Sequence, residues 1–223
     1  MTDVAVDGPA GAGKSTIARG AAKKLGFLYV DTGALYRAIG LFMLKKGIDP
    51  ADPEKVVPLL SNLSVSLEYK NGEQCVILCG EDVSGQIRSP EVSMASSKVS
   101  AIPAVRAFLL DLQRDLAKTN NVIMDGRDIG TVVLPDAQVK VFLTASVEIR
   151  AQRRYKEMVQ KGMSVKYEDV LNDVKQRDYN DTHRAAAPLK AAEGSVRLDT
   201  SEINLEESIA QLVKIIRTAA KEK

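Results

Sequence analysis

Val4-Ala5-Val6-Asp7-Gly8-Pro9-Ala10-Gly11-Ala12-Gly13-Lys14-Ser15-Thr16 decides how this chain is read. The first four residues form a short apolar run of strand character, and Gly8 to Ser15 match G-x-x-x-x-G-K-[ST] without deviation. Behind them Ile17, Ala21 and Leu25 recur one helical turn apart, so strand, glycine loop and helix follow directly. Glycines let successive backbone N–H groups turn inward, and the helix N-terminus adds partial positive charge. Lys14 brings a mobile full charge to the β- and γ-phosphates of a nucleoside triphosphate, and Ser15 is the expected direct ligand of magnesium. Gly8, Pro9, Ala10, Gly11, Ala12, Gly13, Lys14, Ser15 and Thr16 together form the expected ATP cradle.

Working outward, residues 27–31, 121–125, 139–143 and 196–199 are further short apolar runs, each followed by a helical pattern or a Gly or Asp turn. With residues 4–7 they predict a five-stranded parallel sheet flanked by helices, a doubly wound α/β architecture. Pro103 opens a stretch in which Val105, Phe108, Leu109, Leu112 and Leu116 share one helical face, read as core. Between about residues 61 and 102 the texture changes. Val65, Leu67 and Tyr69 alternate with polar residues, Asn71-Gly72 signals a tight turn, and an apolar run follows, which predicts an antiparallel hairpin inserted in the α/β chain. Ser89-Pro90-Glu91 then starts a helix leading back to the main body.

Length bounds the answer to one domain, residues 1–223, with a modest insertion. No basic stretch leads into an apolar run at the N-terminus and nothing reads as a membrane span, so a cytoplasmic protein is expected. A net charge of only +2 argues against a general nucleic-acid binder, because basic residues would have to be concentrated locally. Cys75 and Cys79 are four apart on what reads as one strand face, too few for a zinc site, and are expected to be reduced and structural. The loop alone leaves switch, motor and kinase open. No Asn-Lys-x-Asp segment supports a guanine switch, and a chain of this size with arginines clustered after the loop favours a P-loop kinase acting on a small acceptor.

Three further segments carry a resemblance. Asp31-Thr32-Gly33-Ala34-Leu35-Tyr36-Arg37, Gly80-Glu81-Asp82-Val83-Ser84 and Asp125-Gly126-Arg127-Asp128-Ile129-Gly130-Thr131-Val132-Val133 resemble, in order, the signature segments of the bacterial cytidylate kinases. The likeness runs from Gly8 to the last helix. It implies phosphoryl transfer from ATP to CMP or dCMP, with residues 61–102 as the nucleotide-monophosphate-binding subdomain. By that resemblance Asp128 and Asp181 read cytosine and the sugar, Ser97 is a further base contact, and Arg177 and Arg184 face the acceptor phosphate. A carboxylate can accept from the exocyclic amine that uracil lacks.

The remaining expectations rest on residue chemistry. Thr32, Tyr36 and Arg37 are read at the start of a helix, where helix terminus and guanidinium meet a phosphate together, and Arg106 and Arg127 complete the clamp. Asp125, ending an apolar strand, fits a Walker-B-type carboxylate holding magnesium through water. Arg150, Arg153 and Arg154 share a helix face, and their likeness to the lid arginines of nucleoside-monophosphate kinases implies a lid, residues 150–164. There Arg150 and Arg154, with Lys14, Asp125 and Arg127, serve the transferring phosphoryl group and Arg153 holds ATP; pairing of Arg153 with Glu157 is the plainer alternative. His183 adjoins the Arg177, Asp181, Arg184 stripe, but phosphoryl transfer needs little general base. A monomer without nucleic-acid or membrane partners is expected. A kinase for UMP, AMP or a hydroxyl metabolite remains the alternative enzyme, and an ATP-dependent RNA-binding switch the alternative of another class.

Overall fold

The computed structural model describes residues 1–70 and 72–221. Of the expected Asn71-Gly72 turn, Asn71 therefore lies outside the described residues, while Gly72 has a positive φ of 79°. The chain runs through β1 (Asp3–Asp7), α1 (Lys14–Leu25), β2 (Leu28–Asp31), α2 (Thr32–Lys45) and the short α3 (Pro53–Val56), which continues as a 3-10 helix at Val57–Asn62. Next come β3 (Val65–Lys70), β4 (Glu73–Leu78), β5 (Glu81–Asp82), α4 (Pro90–Val99), α5 (Pro103–Lys118) and β6 (Val122–Gly126). A π-helical turn at Ile129–Val133 precedes β7 (Val139–Thr144), α6 (Val147–Gln160), α7 (Tyr167–His183), β8 (Val196–Asp199) and α8 (Leu205–Lys221). Five strands form the parallel sheet in the order β2-β6-β1-β7-β8, and β3, β4 and β5 form a separate antiparallel sheet.

The chain divides into two compact bodies, one of Met1–Tyr29 with the residues from Asn120 onward, the other of Val30–Thr119. In the first, β6 is buried along its whole length, which is why Val122, Ile123 and Met124 read as an apolar run before Asp125. Val4, Val6, Val139, Val141, Leu143 and Leu198 pack with Ile17, Ala18 and Ala21 of α1 and with Leu212, Val213 and Ile216 of α8. Each large aliphatic among them contributes about 1.5–3 kcal/mol by leaving water. The parallel register pairs Val6 with Asp125 and Asp7 with Gly126, so this core holds two acidic strand ends side by side where an open α/β sheet presents its chemistry.

In the second body α2 and α4 cross at Gly40, where a Cβ would meet the Ser96 amide nitrogen at 2.9 Å and the Ala95 Cβ at 3.1 Å. Only glycine allows that approach. Ser89 caps α4 by accepting from the Val92 amide at 3.2 Å, with Pro90 in the first turn, as the sequence signals. The buried face of α5 is Val105, Leu109, Gln113 and Ala117, with Phe108 and Leu112 half-buried. The core stripe thus follows a strict four-residue spacing that the apolar pattern alone does not reveal, because a polar Gln113 sits within it. The expected shared strand face of the two cysteines is corrected as well. Cys75 lies in β4, but the strand ends at Leu78 and Cys79 follows it, exposed and at a φ of 49°; both thiols are free.

Candidate active site

The loop after β1 turns on glycines at positive φ: Gly8 at 152°, Gly11 at 75° and Gly13 at 86°. Gly8 is fixed by space as well as by angle, since a Cβ there would lie 1.9 Å from the Leu143 carbonyl oxygen. Helix α1 begins at Lys14 with Gly13 as a left-handed cap, leaving first-turn amides free to meet an anion. Lys14 is buried, and its Nζ donates to the Pro9 carbonyl oxygen at 2.8 Å. Burial, and then the Arg127 charge, lower its pKa to about 7 against the opposing pull of Asp125, Asp181 and Asp7.

Ser15 Oγ donates to Asp125 Oδ2 at 2.9 Å, and Tyr29 Oη donates to Asp125 Oδ1 at the same distance. A hydroxyl and a buried carboxylate on adjoining elements are hard oxygen donors. They suit magnesium, which keeps several waters and takes few protein ligands. No cluster of three or more acidic, His or Cys residues able to hold a metal occurs among the described residues.

Asp7 escaped the sequence reading. Its carboxylate is buried and accepts from the Ile129 amide through Oδ1 and the Gly130 amide through Oδ2, each at 2.8 Å. Burial pushes its pKa up to about 6, although those two amide bonds pull it down. Asp7 thereby ties the strand before the phosphate loop to the turn after Arg127 and Asp128. The only local signal was an acidic residue ending an apolar strand; its partners lie more than a hundred residues away.

The same body carries the second group of charged residues. Arg127 donates through Nε to Asp181 Oδ2 at 2.7 Å and through Nη1 to the Gly126 carbonyl at 3.3 Å, and Arg184 pairs with buried Asp128 at 3.5 Å. Burial would raise the Asp181 carboxyl, but Arg127, Arg177 and Arg184 around it hold it below the usual carboxylate range. The Arg127 guanidinium is correspondingly held above its ordinary value by Asp181, against the cost of its own burial. Arg127, Asp128, Arg177, Asp181 and Arg184 are therefore one electrostatic cluster. His183 is exposed and stacks on Tyr179 at 4.1 Å between ring centroids.

The three arginines of α6 differ. Arg150 is almost wholly buried: Nε donates to the Ala145 carbonyl at 2.9 Å, Nη1 to the Ala10 carbonyl at 3.0 Å, and both terminal nitrogens to Asp178 at 2.9 and 2.5 Å. A guanidinium bonded on three segments is a strut between the phosphate loop, the start of α6 and α7. Arg153 donates to Thr200 through Oγ1 at 3.2 Å and the carbonyl at 2.7 Å, and its Nη1 lies 3.9 Å from where a Cβ on Gly13 would sit. It does not pair with Glu157, which instead accepts from Lys161 at 2.5 Å. Arg154 is half-buried on the same helix.

In the second body Asp31 caps α2 by accepting from the Ala34 amide at 3.0 Å, and its other oxygen accepts from Arg37 Nη2 at 2.7 Å. Tyr36 and Arg37 therefore lie one turn beyond the helix start, not in its first turn. Arg37 Nε is buried without a partner among the described residues, a donor that suits an anion. Arg106 stacks its guanidinium over the Tyr36 ring at 5.7 Å and donates to the Ser100 carbonyl at 3.4 Å. Thr32 is buried, and Ser97 is half-buried on α4.

Comparison with known proteins agrees in kind. A family model described as cytidylate kinase matches residues 4–218. A cytidylate kinase from Caldanaerobacter subterraneus subsp. tengcongensis is 51% identical over 218 residues, covering 98% of this chain and 96% of that protein. Another, from Caldicellulosiruptor saccharolyticus, is 49% identical over 213 residues, covering 96% of this chain and 94% of its own length. Among solved structures, a gluconokinase from Sinorhizobium meliloti matches with a TM-score of 0.51 at 14% identity, covering 99% of this chain and 94% of that one. At that identity the likeness concerns the fold alone.

Proposed function

The chain belongs to the cytidylate kinase family and catalyses ATP-dependent phosphorylation of CMP and dCMP, and from that premise we propose how its own residues divide the work. The residues from Gly8 to Thr16 hold the ATP phosphates through backbone amides, with Lys14 moving from the Pro9 carbonyl to the β- and γ-phosphates and Arg153 steadying the nucleotide. Ser15 directly, and Asp125 through water, would hold Mg2+, which would supply neutralisation of the charge that develops on the phosphoryl oxygens. The hydrogen bond between those two side chains is the observation that supports this assignment.

On the acceptor side Arg127, Arg177 and Arg184 grip the nucleotide-monophosphate phosphate, while Asp128 and Asp181 accept from the cytosine amine and the sugar. Thr32, Tyr36, Arg37, Ser97 and Arg106 supply further contacts, the buried Nε of Arg37 to a phosphate oxygen. Arg154 reaches the transferring group, and positioning with charge neutralisation provides most of the rate. Residues 150–164 act as a lid and residues 61–102 as the monophosphate-binding subdomain, excluding water that would otherwise hydrolyse ATP. We place the enzyme in the cytoplasm as a monomer with no nucleic-acid partner. No helix among the described residues is long and apolar enough to cross a membrane.

A coupled assay of ADP release over CMP, dCMP, UMP and AMP tests the acceptor assignment. Release favoured by the two cytidine nucleotides is expected, and magnesium-ATP with no CMP-dependent release would overturn it.

A further inference from the structure

Asp178 had no role in the sequence reading, yet it completes a two-pronged ion pair with buried Arg150. Arg150 reaches four acceptor atoms on three segments: the Ala145 carbonyl before α6, the Ala10 carbonyl in the phosphate loop, and both carboxylate oxygens of Asp178 on α7. The pair is two-pronged and only its carboxylate side is partly open, with side-chain exposures of 4% for Arg150 and 23% for Asp178. Gly11 leans on the same arginine, since a Cβ there would stand 3.3 Å from Arg150 Cβ. Arg150 thus bears on two consecutive residues of the phosphate loop, on Ala10 through its guanidinium and on Gly11 through its Cβ and backbone.

The other end of the strut sits on the helix that carries the acceptor cluster. Arg177, Asp181 and Arg184 form a stripe on or at the end of α7, and Asp178 stands about 100° around the helix from Arg177. Fixing Asp178 on Arg150 therefore fixes the rotation of α7 and aims the stripe at Arg127 and Asp128, where Asp181 and Arg184 pair. The Ala10 carbonyl, held outward by Arg150, leaves the loop's amides to face the phosphates.

We propose that Asp178 is a positioning residue which, through Arg150, couples the ATP loop to the acceptor-reading face of α7, so that filling one site organises the other. This rests on the functional assignment above and extends it to the linkage of the two substrates. Linkage is reciprocal: whatever factor a bound ATP analogue applies to CMP affinity, CMP applies to the analogue.

The experiment is calorimetric titration of CMP alone and in the presence of saturating magnesium with a non-hydrolysable ATP analogue, for the parent and for Asp178→Asn. The parent is expected to show a change in CMP affinity of at least about fivefold on loading the analogue. In Asp178→Asn that factor is expected to fall to within about twofold of one while CMP still binds, a readout that mere loss of stability does not produce. Should Asp178→Asn not fold, Asp178→Glu carries the same test, because its longer stem keeps the charge but cannot keep both the fork and the position of α7. An unchanged factor in the variant, or no factor in the parent, overturns the strut. A parent that phosphorylates CMP in either case leaves the functional assignment intact, and one that binds no CMP overturns both.

Discussion

Ser15 Oγ donates to Asp125 Oδ2 at 2.9 Å, joining two residues 110 positions apart. The contact exists because β1 and β6 are parallel neighbours, with Val6 level with Asp125. Replacing Asp125 by Asn keeps the shape but removes the negative charge and turns one acceptor oxygen into a donor at the proposed ion site. Asp125→Asn is expected to lower kcat by about a hundredfold or more and to raise the magnesium needed for half activity. Magnesium titration at saturating ATP and CMP checks both; an unaltered magnesium requirement would remove Asp125 from that site.

Lys14 is held near neutrality by burial, with a pKa of about 7. A bound polyphosphate raises that value, so ATP binding at pH 8 is expected to take up close to one proton, and binding at pH 6, where the amine is already charged, close to none. Titration calorimetry in two buffers of different ionisation heat measures the uptake. Lys14→Met should abolish both the pH-dependent uptake and, by about a thousandfold, the transfer, with the fold retained by circular dichroism.

Asp128 is buried beside Arg184 and proposed as the acceptor of the cytosine amine. Asp128→Ala is expected to lower the CMP-to-UMP ratio of kcat/KM by about tenfold or more, which corresponds to the 1–3 kcal/mol typical of a specific base-edge contact. Steady-state assays on both nucleotides decide; equal losses on both would mean that Asp128 only positions Arg184.

Gly8→Ala places a methyl 1.9 Å from the Leu143 carbonyl oxygen on a backbone at φ 152°. Neither β1 nor β7 can yield without disturbing their ladder, so a loss of about 3 kcal/mol or more is expected in chemical denaturation, together with loss of ATP binding. An unchanged denaturation midpoint would show the loop to be softer than its packing indicates.

Much of the fold was legible because its signals are local. The short apolar strands, the Ser89 cap with Pro90, Pro103 at the start of α5 and the alternation in β3 all sit where periodicity and turn chemistry place them. Where a local pattern was overridden, a neighbouring surface did it: Gln113 entered the buried face of α5, and Cys79 left the strand. The carrying of the site residues was mixed for the same reason. Arg127, Asp128, Asp181 and Arg184 do meet, and Arg150 was read from its helical spacing and the lid resemblance, neither of which reveals its bonds to the Ala10 carbonyl and Asp178.

By itself the sequence determined the phosphate loop, because a run of glycines before a lysine and a serine has its chemistry within eight consecutive residues and needs no distant partner to be recognised. It also determined which segments are strands and helices wherever apolar spacing was regular. Only the tertiary structure decided what each charge is paired with. Asp7 received the Ile129 and Gly130 amides, Asp125 received Ser15 and Tyr29, and Arg150 was joined to the Ala10 carbonyl and Asp178. Those pairings depend on which strand ends lie side by side and how α7 is rotated, and a carboxylate's partner is set by distance in space, which spacing along the chain does not encode.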